Sequence, residues 1–162
     1  MAKQSEDEVL ATVAASLMRR VIGIGMLAFL AVIVLYVAIA TPPAFGWQMF
    51  LIAMGTGALM VANIMRVSTR NTLELTRTEL RDNEGTVLVR IEHVTSIDRG
   101  AFAFKPSNGF LLRLKTSHSS DWRPGLWWRA SKRIGVGGMT PMRETKFMAE
   151  MIALLLAERE GA

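Results

Sequence analysis

His93 and His118 are the only imidazoles in a chain of 162 residues that has no cysteine. The missing thiols exclude disulfides, thiolate zinc sites, iron-sulfur clusters and a cysteine nucleophile. The two histidines have no metal-ligand spacing. The stretch His118-Ser119-Ser120-Asp121 carries the letters of a hydrolytic triad. Adjacent residues do not easily take up nucleophile-base-orienter geometry, which gathers side chains from distant parts of a chain, so a solvated loop is the expectation. The glycines of RIGVGG, Arg133 to Gly138, could cradle a phosphate, yet the spacing is not that of a P-loop and no Lys-Ser/Thr follows. They read as a last strand turning toward a helix cap. No catalytic residue, metal ligand, cofactor or small-molecule substrate is therefore expected.

The remaining reactive-looking stretch is WRPGLWWR, Trp122 to Arg129, with three of the four tryptophans and two arginines. Pro124-Gly125 predicts a turn into a strand. Alternation from Leu126 sends Leu126, Trp128 and Ala130 one way and Trp127, Arg129 and Ser131 the other. Trp128 is expected in the core, where a large aromatic with apolar neighbours is best used. Trp122, Arg123, Trp127 and Arg129 form the candidate interaction surface, because amphipathic aromatics beside basic groups suit a headgroup layer or a protein hot spot.

These residues must be positioned by a chain whose first half is written for lipid. Val21 to Ala40 has no charged residue over twenty positions, and at helical rise it covers about 30 Å, one hydrocarbon core. A link with Pro42 and Pro43 stops that helix, and a second uncharged run, Gln48 to Met65, follows. The spacing predicts a transmembrane hairpin over residues 21–67, with spans at about 21–40 and 45–66. Ala38-Ile39-Ala40 resembles a signal-peptidase site, but the apolar run is long and Glu6, Asp7 and Glu8 precede it, so an uncleaved span is the preferred reading. Arg19 and Arg20 before the first span, and Arg66 and Arg70 after the second, place both termini in the cytoplasm. Ser5 and Glu8 have capping-box spacing, and Val9, Leu10, Val13 and Leu17 recur helically. Residues 1–20 therefore read as a cytoplasmic helix leading into the span. Ala53 with Gly57, and Ala58 with Ala62, have small-xxx-small spacing and are the candidate helix-packing residues. They would meet the first span of the same hairpin, a second copy or a larger membrane complex. Neither span has an ionisable group that would line a proton or ion path.

Residues 68–162 change texture. Val87, Val89 and Ile91 alternate with Thr86, Leu88 and Arg90, and Phe110, Leu112 and Leu114 with Leu111, Arg113 and Lys115. Turn signals at Asp82-Asn83-Glu84-Gly85, Arg99-Gly100, Pro106-Ser107-Asn108-Gly109 and Pro124-Gly125 separate about seven short antiparallel strands. These lie near 72–76, 79–82, 86–92, 94–104, 110–117, 126–131 and 132–136. Thr140 as N-cap and Pro141 at the first helical position open a helix over 141–159. Its stripe of Phe147, Met148, Met151, Ile152, Leu154 and Leu155 covers the sheet.

In order, lengths and texture, best in ELTRTELRDNEGTVLVRIEHVTSID, the chain resembles bacterial membrane proteins with a pleckstrin-homology-like domain. The resemblance implies an α+β membrane protein: a two-helix transmembrane hairpin, then a seven-stranded antiparallel barrel or sandwich capped by a C-terminal helix. It also implies a membrane-proximal interaction module in the bacterial inner membrane. Eukaryotic phosphoinositide-binding pleckstrin-homology domains resemble one another in a Lys-then-Arg-x-Arg cluster across the first hairpin; here only Arg77 and Arg81 stand there, among Glu79, Asp82 and Glu84.

Between Arg66 and Met139 thirteen Lys/Arg face seven Asp/Glu. A domain tethered beside an anionic leaflet accounts for that excess, at about 1 kcal/mol for each basic residue near the surface, so no nucleic-acid partner is invoked. The expected function is a non-enzymatic, membrane-anchored scaffold, assembly or accessory factor. Its partners would be membrane lipids and a membrane protein or a second copy, and an anionic-lipid-sensing module is the alternative.

Overall fold

The computed structural model describes residues 8–100 and 106–161. Ser5 of the expected capping box, and the last part of the strand expected at 94–104, lie outside the described residues. The chain divides into two compact units, one of residues up to Ser16 together with Ser68 onward, the other Leu17–Val67.

The smaller unit is a helical hairpin, α1 (Leu17–Ala40) and α2 (Phe45–Ser68). Both helices are long and apolar enough to cross a membrane, and only 11% of the most apolar window of each is buried. Thr41 ends α1 by returning its N–H and Oγ1 to the Val37 carbonyl, at 3.2 and 3.1 Å. Prolines at 42 and 43 cannot extend the ladder.

The larger unit begins before the hairpin. Residues 11–14 are not helical: Ala11–Ala14 is strand β1. The helical recurrence of Val9, Leu10, Val13 and Leu17 loses to a period of two, in which Ala11 and Val13 are buried and Thr12 is exposed. Strand β1 pairs antiparallel with β2 (Thr72–Leu75), from Ala11 opposite Leu75 to Ala14 opposite Thr72. The larger unit resumes at Ser68, and residues up to Ser16 belong with it, so the hairpin is an insertion between two adjacent strands. Ala14 and Thr72 are partners, so the chain leaves and rejoins the sheet at one place.

Strands β3 (Glu79–Asp82) and β4 (Val87–Arg90) complete a four-stranded sheet in the order β1-β2-β3-β4. The turn between them is set by Asp82, whose Oδ1 accepts the N–H groups of Glu84 and Thr86 at 3.1 and 2.7 Å. Gly85 there has φ +86°, a conformation that a side chain disfavours. A register shift between Leu80 and Arg81 breaks the alternation expected of β4. Leu88 and Val89 are both buried and Val87 is exposed, because a bulge turns one residue to the other face.

After a short 3-10 turn (Ile91–His93), β5 (Val94–Asp98), β6 (Phe110–Arg123) and β7 (Trp127–Val136) form a second antiparallel sheet of three strands. The two strands expected at 126–131 and 132–136 are one bent strand, β7. Ser131 at its middle has φ +53°, and β6 shifts register on either side of His118, opposite it. The bend returns the end of β7 to its start: Gly137 N–H donates to the Leu126 carbonyl and Met139 N–H to that of Gly125, each at 2.9 Å.

Helix α3 (Met142–Gly161) closes the unit. Its buried side is Thr145, Met148, Ala149, Ile152 and Leu156, with spacings of three, four and seven that keep one helical face inward. Phe147 and Leu154, expected on that stripe, are exposed. The core joins both sheets and α3 through Leu73, Leu75, Leu80, Phe110, Leu112, Ile134, Met148 and Ile152. Each such buried side chain contributes about 1.5 to 3 kcal/mol.

Candidate interaction surface

In the WRPGLWWR stretch the tryptophans are sorted differently from the expectation. Trp127 belongs to the core with 2% of its surface exposed, and it meets the expected surface only as part of the wall of the cleft beside Trp122. The turn extends through Leu126, whose N–H donates to the Arg123 carbonyl at 3.1 Å, and the strand begins only at Trp127. Both Leu126 and Trp127 consequently point inward, and alternation counted from Leu126 misassigns the face. Trp128, expected in the core, is half-buried. Its indole lies over Gly135, where an added Cβ would overlap Nε1.

Trp122 remains 58% exposed. Its backbone N–H donates to Asp121 Oδ1 at 2.8 Å, which fixes the chain where the ring projects. Beside it is a cleft of about 360 Å³ bordered by Trp122, Arg123, Trp128, Ser107 and the glycines 137 and 138. Arg123 is half-buried beside it, and its Nε is enclosed with no hydrogen-bond partner among the described residues.

Arg129 is engaged within the fold through each of its three nitrogens. Its Nε donates to the Ser119 carbonyl at 2.9 Å, its Nη1 to the Leu88 carbonyl at 2.9 Å and its Nη2 to Ser119 Oγ at 3.3 Å. The guanidinium also lies 5.9 Å from the Trp127 ring centroid, within cation–π range. It ties β4 to β6 and screens the outer side of Trp127. Of the expected surface, Trp122 is the exposed member and Arg123 borders the cleft; Trp127 and Arg129 hold the fold.

His118-Ser119-Ser120-Asp121 is part of strand β6 and not a loop. Ser119 is taken by Arg129, and Asp121 by the Trp122 N–H. The ring centroids of His93 and His118 are 6.2 Å apart. His93 Nε2 has Glu92 at 3.6 Å and His118 Nε2 has Thr116 Oγ1 at 3.4 Å. No group of three or more metal-ligating side chains occurs among the described residues. The RIGVGG glycines end β7 and turn toward α3 as expected, and Gly138 N–H donates to the Ser107 carbonyl at 2.9 Å.

Positive charge on the first sheet is largely answered. Arg81 lies 3.4 Å from Glu74 and 3.7 Å from Glu79, and Arg90 3.7 Å from Glu92. On the second sheet Arg113 and Arg133 stand directly opposite each other across β6 and β7, with Lys115 and Lys132 exposed nearby and Asp98 at 3.6 Å from Arg113. Like charges in such a position repel unless an anion lies between them. Arg159 was not foreseen in the sequence. Its Nη1 donates to the carbonyls of Ile91, Glu92 and Val94 at 3.0 to 3.3 Å, pinning the end of α3. No spacing could reveal it, because its acceptors are backbone atoms more than sixty residues away.

The four small residues proposed for helix packing separate too. Ala62 is buried and Ala58 half-buried, whereas Ala53 is exposed and an added Cβ at Gly57 would meet nothing within 4 Å. The actual seam uses Gln48, Gly55 and Ala62, seven residues apart, against Ala31, Leu35 and Ala38. Gln48 Nε2 donates to the Ala38 carbonyl at 3.1 Å, and a Cβ on Gly55 would come within 2.6 Å of Leu35 Cγ. A seven-residue repeat keeps two nearly aligned helices in contact over several turns, where one four-residue pair marks only a single crossing.

No family model, curated protein or solved structure matches the chain.

Proposed function

We propose that the chain is a membrane-anchored, non-enzymatic interaction module of pleckstrin-homology-like build, acting as a scaffold, assembly or accessory factor of a membrane protein complex. The observation that carries this reading is the insertion of an exposed apolar hairpin between the paired strands β1 and β2. Apolar surface of that extent requires lipid or protein cover. Only Ala15 and Ser16 on one side, and Thr69 to Asn71 on the other, separate helix from strand. Two short connections from neighbouring strands tether the module to its anchor at two points of the chain, raising its effective concentration against membrane neighbours. Four-plus-three antiparallel strands closed by a helix support the pleckstrin-homology-like reading. The arginines flanking the hairpin support cytoplasmic termini. Trp122 and its cleft are the proposed docking point, with Arg113, Arg133, Lys115 and Lys132 favouring a second reading, contact with anionic headgroups.

A photoreactive amino acid placed at Trp122 or at Lys132 in the full chain, activated in native membranes, tests both readings. A defined protein adduct from position 122 is expected. Lipid adducts from position 132 with no protein adduct from 122 would favour the second reading. Absence of any adduct at either position would remove the docking proposal.

A further inference from the structure

Three of the four uncharged polar side chains within α2, Gln48, Thr56 and Asn63, are placed differently. Gln48 faces α1 and is bonded to the Ala38 carbonyl. Thr56 and Asn63, seven residues apart, are exposed. At 100° per residue, Ala53, Thr56, Gly57, Met60, Asn63 and Ile64 form one face of α2, turned away from the seam of Gln48, Gly55 and Ala62. Met60 and Ile64 on that face are 63% and 42% exposed. In water such a mixture would be ordinary. In a bilayer the amide of Asn63, one turn inside Arg66, has the headgroup layer on one side and acyl chains on the other, where a partner that gives and accepts a hydrogen bond is favoured over acyl chains.

We propose that this face of α2 packs against α2 of a second copy of the same chain. The proposal rests on the reading that the hairpin crosses a membrane. Two copies inserted the same way are related by a twofold axis along the membrane normal, so equal-numbered residues of a parallel α2 pair meet. A carboxamide is donor and acceptor at once and can pair with itself. Asn63 therefore suits an identical helix, as a single charged group would not. Gly57, with open space around it, and Ala53 let the two backbones approach between the polar levels. The outward side of α1 carries bulky Met26, Phe29 and Ile33, all exposed, and its polar group is the phenol of Tyr36 in place of an amide.

The chain has no cysteine, so each introduced thiol is unique. Ala53→Cys, Met60→Cys and Ile64→Cys, with Met26→Cys and Phe29→Cys as comparisons, are made in the full chain and oxidised in native membranes. Disulfide-linked dimers are expected at 53, 60 and 64 and not at 26 or 29. Adding Thr56→Val and Asn63→Leu to Met60→Cys should reduce the dimer about three- to fifteen-fold, the equilibrium worth of one or two interhelical hydrogen bonds in a bilayer. Equal crosslinking on α1 and α2, no crosslinking on α2, or no effect of the polar substitutions would each overturn the proposal. Alkaline extraction of the same membranes separates the causes. A chain released by it defeats the membrane reading and the dimer together, while a retained chain without α2 crosslinks defeats the dimer alone.

Discussion

Trp127 and Trp122 differ by five positions and have opposite roles. Trp127 is enclosed by the core and covered by Arg129; Trp122 projects beside a cleft. Trp127→Ala should therefore lose about 3 to 5 kcal/mol, the usual cost of truncating a buried aromatic. Trp122→Ala should change stability by no more than about 0.5 kcal/mol. Thermal unfolding of the detergent-solubilised full chain, followed by tryptophan fluorescence and far-ultraviolet dichroism, checks the difference; equal losses would contradict the assignment. The sequence marked this stretch as the place to look, and the Pro-Gly turn is where it was expected. The faces were not legible, because one residue of extra turn reverses every assignment in a strand of period two. Arg129 was equally opaque. Its neighbours in sequence suggest a binding arginine, and only the carbonyls of Leu88 and Ser119 show that its guanidinium is held within the fold.

Among the elements, β1 alters the meaning of the chain most. Its four residues pair with β2 and bury Val13 completely. A fragment starting at Arg70 would therefore lack an edge strand and expose the paired side of β2, a template for aggregation. Such a fragment is expected to be aggregated or poorly folded. A fragment in which residues 8–16 are joined by a short flexible linker to 68–161 should be monomeric and cooperative in urea, since Ala14 and Thr72 are already neighbours. Size-exclusion chromatography with urea titration compares the two, and a well-folded Arg70 fragment would mean that β1 is dispensable. The sequence favoured a helix for this segment because Val9, Leu10, Val13 and Leu17 satisfy a helical spacing. The competing partner, β2, lies beyond two whole helices, and no local pattern can announce a strand pairing at that distance.

For the whole molecule, the proposed two-span arrangement has a polarity that can be tested from outside. If the larger unit is cytoplasmic, Thr41→Cys in the link between α1 and α2 should react with a membrane-impermeant maleimide in intact cells. Ala130→Cys, exposed on β7, should react only after the membrane is opened. Labelling of both from the same side would refute the two-span arrangement. The amino-acid sequence by itself determined the two apolar helices, the antiparallel character of the second half, most of its turns and the closing helix. Those features follow from runs, alternation and caps within a few residues of one another. Only the tertiary structure decided that the strands divide four and three, that β1 precedes the hairpin it flanks, which tryptophan is core, and that the helix seam follows Gln48, Gly55 and Ala62. Each of those depends on a partner distant in the chain, and burial against such a partner outweighs the local preference by several side chains at about 1.5 to 3 kcal/mol each.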